Sequence, residues 1–272
     1  MVRKFKPEQL KAIRVCADKR LPPEMRGKEI TAALEERPDN LMPRPARGPH
    51  AAHIARGLGA IGAPRMAVLF AKLWKPGRTL RVRFLHEPGP RVADRIEHHA
   101  HAWEQYANIR FEFVATGAAE IRITLDQHDG SWSYLGTDAT LIPGDQATMN
   151  YGWFDEDTED SEFSRTVLHE FGHALGAIHE HNHPRHGIKW NKAAVYAYYA
   201  ETQGWSKAEV DEQVFERYEL TKLNASKYDP KSIMHYAIPA ELLLPSGKPV
   251  GWNRVLSAAD KAFIRKQYPR PR

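Results

Sequence analysis

The sequence predicts an α+β domain, on two observations. Between residues 79 and 151, strand-like stretches bracket one long helical run, as in a mixed sheet with a helix packed on it. Further on, an amphipathic helix opens near Ser161 and closes before Gly176, with histidines and a glutamate off its apolar stripe.

Each element has its own pattern. Thr79 to His86 (TLRVRFLH) alternates apolar and basic residues, as a half-buried strand does. Arg91 to Ala107 follows with Val92, Ile96, Ala100 and Trp103 at helical spacing. Ile109–Val114 and Glu120–Leu125 read as strands, and Ser131–Leu135 and Ala147–Tyr151 as two shorter ones. Six acidic residues lie between Asp155 and Glu162, where they complement the positive end of the helix that follows. Calcium is the lesser alternative there, because the run lacks the EF-hand glycine and twelve-residue pattern. The helix itself has Phe163, Val167, Phe171, Ala174, Leu175 and Ile178 as its apolar stripe. Ile188–Gln203 and Ser206–Arg217 read as helices, and Leu256–Tyr268 as a C-terminal helix opened by a Ser257/Asp260 capping box.

Residues 7–20 and 24–37 read as two helices split by Pro22 and Pro23, and Leu41–His50, with three prolines and a glycine, reads as a linker. The expected organisation is therefore a basic helical extension over residues 1–50, of no assigned role, and a catalytic domain over 51–272.

Composition bounds the rest. The chain has 272 residues, 42% hydrophobic and 27% charged, an ordinary globular balance. No apolar run approaches the ~18 residues of a membrane helix. Residues 1–50 hold twelve Lys/Arg and seven Asp/Glu, which is the whole net charge of +5; the remaining residues carry 27 of each sign. Without aromatic-basic interleaving this excess reads as a solvated face rather than a nucleic-acid surface. A single cysteine, Cys16, excludes an internal disulfide framework. The N-terminus lacks an uninterrupted apolar h-region, so the expected location is the cytoplasm, or export without a classical leader. Oligomeric state is not set by the sequence.

Six of the fourteen histidines fall between Leu168 and His186. His169 and His173 are four apart on a helix, one turn from each other on one face, where two imidazoles can hold one metal ion. Glu170 sits about 100° round the helix, near the ion without having to bind it, and can accept a proton from water. Gly176 can take the positive φ that ends a helix sharply, swinging His179 back toward the pair. Three neutral nitrogens and one open position make a catalytic zinc site. The five fixed positions of HExxHxxGxxH match by chance on the order of 10⁻⁴ from composition.

HEFGHALGAIH, residues 169–179, resembles the zinc motif of the metzincin metallopeptidases, and SIMHY, Ser232–Tyr236, resembles their Met-turn. Glu180 after the third histidine, the SIMHY form and GSWSYLG (Gly130–Gly136) are similar to the astacin family in particular, and the matches run from about Leu80 to Tyr268. The resemblance implies a zincin-like fold: a twisted mixed β-sheet with helices above, a zinc-binding active-site helix, and a mostly helical or irregular lower part. It implies one Zn²⁺ held by His169, His173 and His179, with Glu170 and Tyr236 catalytic and Met234 as an apolar floor. Trp132, Ser133, Tyr134 and Leu135 would line the cleft as an edge strand that pairs with an extended peptide. The expected function is a zinc endopeptidase acting on protein or peptide substrates. The alternative is a non-catalytic zinc-stabilised protein that holds a protein or anionic partner in the cleft or on the basic N-terminus.

The chain departs from the resemblance in lacking the two disulfides of secreted astacins and an evident propeptide aspartate. Glu180 is expected to bond polar groups near the Met-turn. His181, His183 and His186 read as partly exposed loop residues that add positive charge near the cleft at mildly acidic pH. His98, His99 and His101 read as surface residues.

Overall fold

The computed structural model describes residues 14–25, 27–40, 71–217 and 227–271. Its strands are β1 (Cys16–Asp18), β2 (Thr79–Phe84), β3 (Arg110–Phe113), β4 (Ile121–Thr124), β5 (Ser131–Ser133) and β6 (Met149–Asn150). Its helices are α1 (Glu29–Glu36), α2 (Pro90–Ala100), α3 (Asp160–Ala174), α4 (Lys192–Gln203), α5 (Lys207–Val210) and α6 (Ala258–Gln267). The strands form one mixed sheet in the order β1-β5-β6-β4-β2-β3. Neighbours run parallel throughout except β5 and β6, which are antiparallel.

The alternation in TLRVRF does what it predicts. Leu80 and Val82 are fully buried, beside Ile121 and Ile123 of β4. They share a core with Val92, Ile96 and Ala100 of α2 and with Phe163, Val167 and Phe171 of α3. Each Val, Leu, Ile or Phe side chain among them contributes about 1.5–3 kcal/mol when removed from water. The buried Trp103 indole donates to the Leu168 carbonyl at 3.0 Å, so its polar atom is satisfied. Every residue of α3 from Arg165 to Ala174 is buried, and that places its polar face inside the molecule. His99, expected at the surface, is 9% exposed and bonds Asp160 at 3.1 Å across the α2–α3 contact.

A second core joins Val195, Tyr198 and Tyr199 of α4 to Tyr236, Ile238 and Leu242 beyond the Met-turn. Asn191 caps α4 by accepting from the Ala194 N–H, so the helix starts later than Ile188. The expected helix over 206–217 is instead α5, opened by a Ser206/Glu209 capping box, followed by a π turn over Asp211–Phe215. The C-terminal helix has the expected Ser257/Asp260 box.

The N-terminal segment holds the main correction. The first of its two expected helices is a strand at Cys16–Asp18, because β5 offers an unpaired row of backbone groups and β1 satisfies them; residues 7–13 lie outside the described residues. The second expected helix is α1, preceded by a 3₁₀ turn at Pro23–Met25. Past it, the fully buried Asn40 donates to the carbonyls of Ala33 and Leu73 and accepts from the Leu73 N–H at 3.1 Å. Residues 14–25 and 27–40 are thus bonded into the same unit as the sheet. The expected linker Leu41–His50, and with it the division at residue 50, lies outside the described residues.

Candidate active site

The end of α3 shapes the site. Gly176 takes φ +86°, its N–H bonds the His173 carbonyl at 2.8 Å, and the Ala177 N–H bonds the Gly172 carbonyl at 2.9 Å. This pair of bonds is a Schellman motif, which stops the helix and reverses the chain. It brings His179 back beside the two helical histidines. The Nε2 atoms of His169, His173 and His179 lie 3.0–3.1 Å from one another.

Their tautomers explain the purpose. His169 donates from Nδ1 to the Ile233 carbonyl at 2.8 Å, and His173 from Nδ1 to the Ala177 carbonyl at 2.8 Å. A neutral ring with its proton on Nδ1 has only a lone pair on Nε2. Burial first, then the adjacent rings of His173 and His179, holds the pKa of His169 well below its ordinary value, so the ring stays neutral. Lone pairs packed this closely repel unless a cation sits among them. The spacing suits donors that converge on one zinc ion at about 2.0–2.1 Å. The carbonyl partners fix the ring orientations, as hydrogen-bond partners of zinc-binding histidines do.

Glu170 is fully buried in the same place. Below, Gly172 is what lets the floor approach: a Cβ there would run into Met234 Sδ. Met234 itself is 4% exposed and belongs to the core under α3. The Met-turn is tied to the ligand set from both sides. The Glu180 N–H donates to the Met234 carbonyl at 2.9 Å, and Glu180 Oε1 accepts from the Asp229 N–H at 2.7 Å. Glu180 therefore bonds polar groups next to the turn, and burial pushes its carboxyl up to about 7. The Tyr236 ring packs edge-on against His179, with centroids 4.5 Å apart.

The expected edge strand is covered. Of the expected Trp132, Ser133, Tyr134 and Leu135, the first two lie on β5, and β1 pairs along it, matching Cys16 to Ser131 and Ala17 to Trp132. Trp132 and Tyr134 are each 6% exposed, packed with Leu21 and Ile142. The N-terminal segment thus runs through the cleft. Cys16 Sγ lies within 4.8 Å of the ligand atoms of His169 and Glu170, and the Tyr236 hydroxyl donates to the Cys16 carbonyl. Burial, then the nearby Glu170 charge, pushes the Cys16 thiol well up.

Sequence reasoning missed Cys16 and Arg165. No local signal marks a lone cysteine, whereas Arg165 stands four residues before His169 on the same helical face. Arg165 lines the cleft beside Cys16, grips Glu162 through two nitrogens and lies 4.4 Å from the Trp252 ring centroid.

The remaining histidines of the run correct the expectation made for them. His181, His183 and His186 are 0%, 5% and 6% exposed, not partly exposed loop residues. His183 and His186 accept backbone N–H bonds at Nδ1, from Arg185 and Ile188, so when neutral they carry the proton on Nε2. That is the opposite tautomer to His169 and His173. Burial holds His186 down to about 4, so it adds no positive charge at mildly acidic pH.

Fold and site together define a zinc metalloendopeptidase of the metzincin type. The family model for astacin (peptidase family M12A) matches residues 69–241, and the chain belongs to the astacin family. A solved structure of myroilysin is 50% identical, with TM-score 0.71, over 74% of this chain and 97% of that one. A crystal structure of myroilysin, also 50% identical, has TM-score 0.59 over 73% and 86%. High choriolytic enzyme 1, a hatching enzyme zinc-protease from Oryzias latipes (medaka fish), is 21% identical with TM-score 0.52 over 72% and 94%, a likeness of fold. Comparison with curated protein sequences found no match.

Proposed function

We propose that the chain hydrolyses peptide bonds with Glu170 as general base and Tyr236 as oxyanion donor. The observation that carries this is the convergence of three Nε2 atoms beside the buried Glu170 carboxylate. His169, His173 and His179 would hold the zinc, which supplies Lewis acidity: it brings the pKa of water toward ~7 and polarises a carbonyl. Glu170 takes the proton from the attacking water and delivers it to the departing amine. Tyr236 donates to the charge that develops on the attacked carbonyl oxygen. An extended peptide pairs along Ser131–Leu135 by strand addition.

The described conformation is the closed form of this cleft, because β1 already occupies that edge. Substrate enters when Cys16–Asp18 leaves. A purely zinc-stabilised binding protein has no use for Glu170 and Tyr236 gathered at the triad.

Glu170→Ala tests the assignment. It is expected to keep one zinc per chain, by metal analysis, and to lose peptide hydrolysis by about 10²–10⁴-fold. Unchanged turnover in that variant would remove Glu170 from its role.

A further inference from the structure

The N-terminal segment pairs along β5, and just beyond β1 it makes contacts through basic side chains. Three residues beyond Cys16, the Lys19 ammonium lies 4.0 Å from the Trp132 ring centroid and 3.3 Å from Asp129 Oδ2. The receiving half of this contact is built without Lys19. The Trp132 indole N–H donates to Asp129 Oδ2 at 2.8 Å, and the ring is braced edge-on by Tyr134 at 5.7 Å. Below it, β5 is fixed by pairing with β6. An aromatic face with a carboxylate hydrogen-bonded to its edge is a receptor for an ammonium or guanidinium group. Arg20, the next residue, pairs with Glu212 at 2.6 Å and with Glu216. The groups that receive Lys19 and Arg20 are therefore anionic.

Exposed ion pairs alone contribute little. The Trp132–Asp129 pair is different, because the buried indole desolvates one side of the cation while the carboxylate holds the other. It also sits on the strand along which the proposed function lays the substrate.

We propose that Trp132 and Asp129 form a subsite for a lysine or arginine side chain of the substrate, about three residues, or roughly 10 Å of extended chain, from the cleaved bond. This rests on the peptidase reading, and Lys19 is the subsite's resident occupant in the closed form.

Two measurements on the full chain test it. The first needs no turnover. Residue 19 is varied as Lys, Arg, Met and Glu, in the parent and in Asp129→Asn, and the opening of β1 is read from hydrogen exchange at the Ala17 and Ser133 amides. Lys and Arg are expected to protect about 5- to 20-fold better than Met, with Glu worst, and Asp129→Asn to shrink the Lys-over-Met ratio. Equal protection across the series would overturn the subsite.

The second vacates the subsite with Cys16→Ala/Lys19→Ala and compares peptides that differ only as lysine or norleucine at one position. One position about three residues from the cut is expected to favour lysine by about 5- to 20-fold in kcat/KM, a ratio that falls toward one in Asp129→Asn. Cleavage without such a preference overturns the subsite while leaving the peptidase reading intact. Cleavage of no peptide overturns the peptidase reading and the substrate subsite with it, while the exchange series still reads whether Trp132 and Asp129 hold Lys19.

Discussion

Tyr236 donates its phenolic hydrogen to the carbonyl oxygen of Cys16, 220 residues away in the chain. The acceptor is a peptide carbonyl beside the histidine triad, the same kind of atom that a substrate presents for attack. The hydroxyl thus already donates to a peptide carbonyl, which is what the proposed oxyanion donor has to do. Tyr236→Phe is expected to lower kcat by about 10²–10³-fold with zinc content unchanged and KM little altered. A rise in KM at constant kcat would make Tyr236 a substrate-binding group instead.

Cys16 is 1% exposed, enclosed by the strand pairing and by Tyr236. Alkylation of the native full chain by iodoacetamide should run at least about 100-fold slower than that of a free thiol, because the thiol reacts only when β1 opens. Cys16→Ala removes one anchor of β1 and should cleave peptides faster than the parent from the first minutes. Modification at the free-thiol rate, followed by peptide mass mapping, would show that the cleft is open in solution.

Gly176 holds a left-handed conformation, and a Cβ there would lie 3.0 Å from Leu73 Cδ2 and 3.2 Å from the Lys72 carbonyl oxygen. Gly176→Ala combines backbone strain of about 1–2 kcal/mol with a forced shift of its neighbours. Since this turn aims His179, the expected result is a lower melting temperature and zinc affinity weakened by about 10- to 100-fold. A variant with native affinity in competition against a chromogenic chelator would show that the third ligand is positioned by other means.

His186 gives a pH prediction. Burial lowers its pKa from 6.5 to about 4, so the unfolded chain binds its proton more readily than the folded one. Stability from the neutral ring is complete above pH 6.5 and is lost as pH falls toward 4, a contribution of about 1–3 kcal/mol. His186→Asn keeps an acceptor for the Ile188 N–H and cannot titrate. Denaturant unfolding at several pH values should show a shallower loss between pH 6.5 and 4 in the variant. Parallel curves would sink the assignment.

The ligand set was legible in the sequence because its geometry is local. Four residues of helix, a glycine with positive φ and three more residues bring three imidazoles together, and the distant Ile233 carbonyl only sets the ring of His169. The Ser257/Asp260 box was legible for the same reason. The fate of Cys16 was not. Its segment has helical apolar spacing, and only the open backbone of β5, over a hundred residues later, draws it into a strand. The crowded histidines misled for a related cause. His181 packs on Tyr236 at 4.1 Å and His183 on Tyr228 at 6.1 Å between ring centroids, so what buries them arrives some fifty residues downstream.

Asp260 is more than a helix cap. Its Oδ1 accepts from the Ser232 hydroxyl at 2.6 Å, while its Oδ2 takes the N–H groups of Ile233 at 2.8 Å and Ser257 at 2.9 Å. Ile233 in turn supplies the carbonyl that fixes the ring of His169. The last helix therefore completes the centre mechanically, through one carboxylate and one peptide unit. A ribosome that has delivered all three zinc ligands has still not delivered the brace that orients the first of them. Assembly of the braced centre has to wait for Asp260.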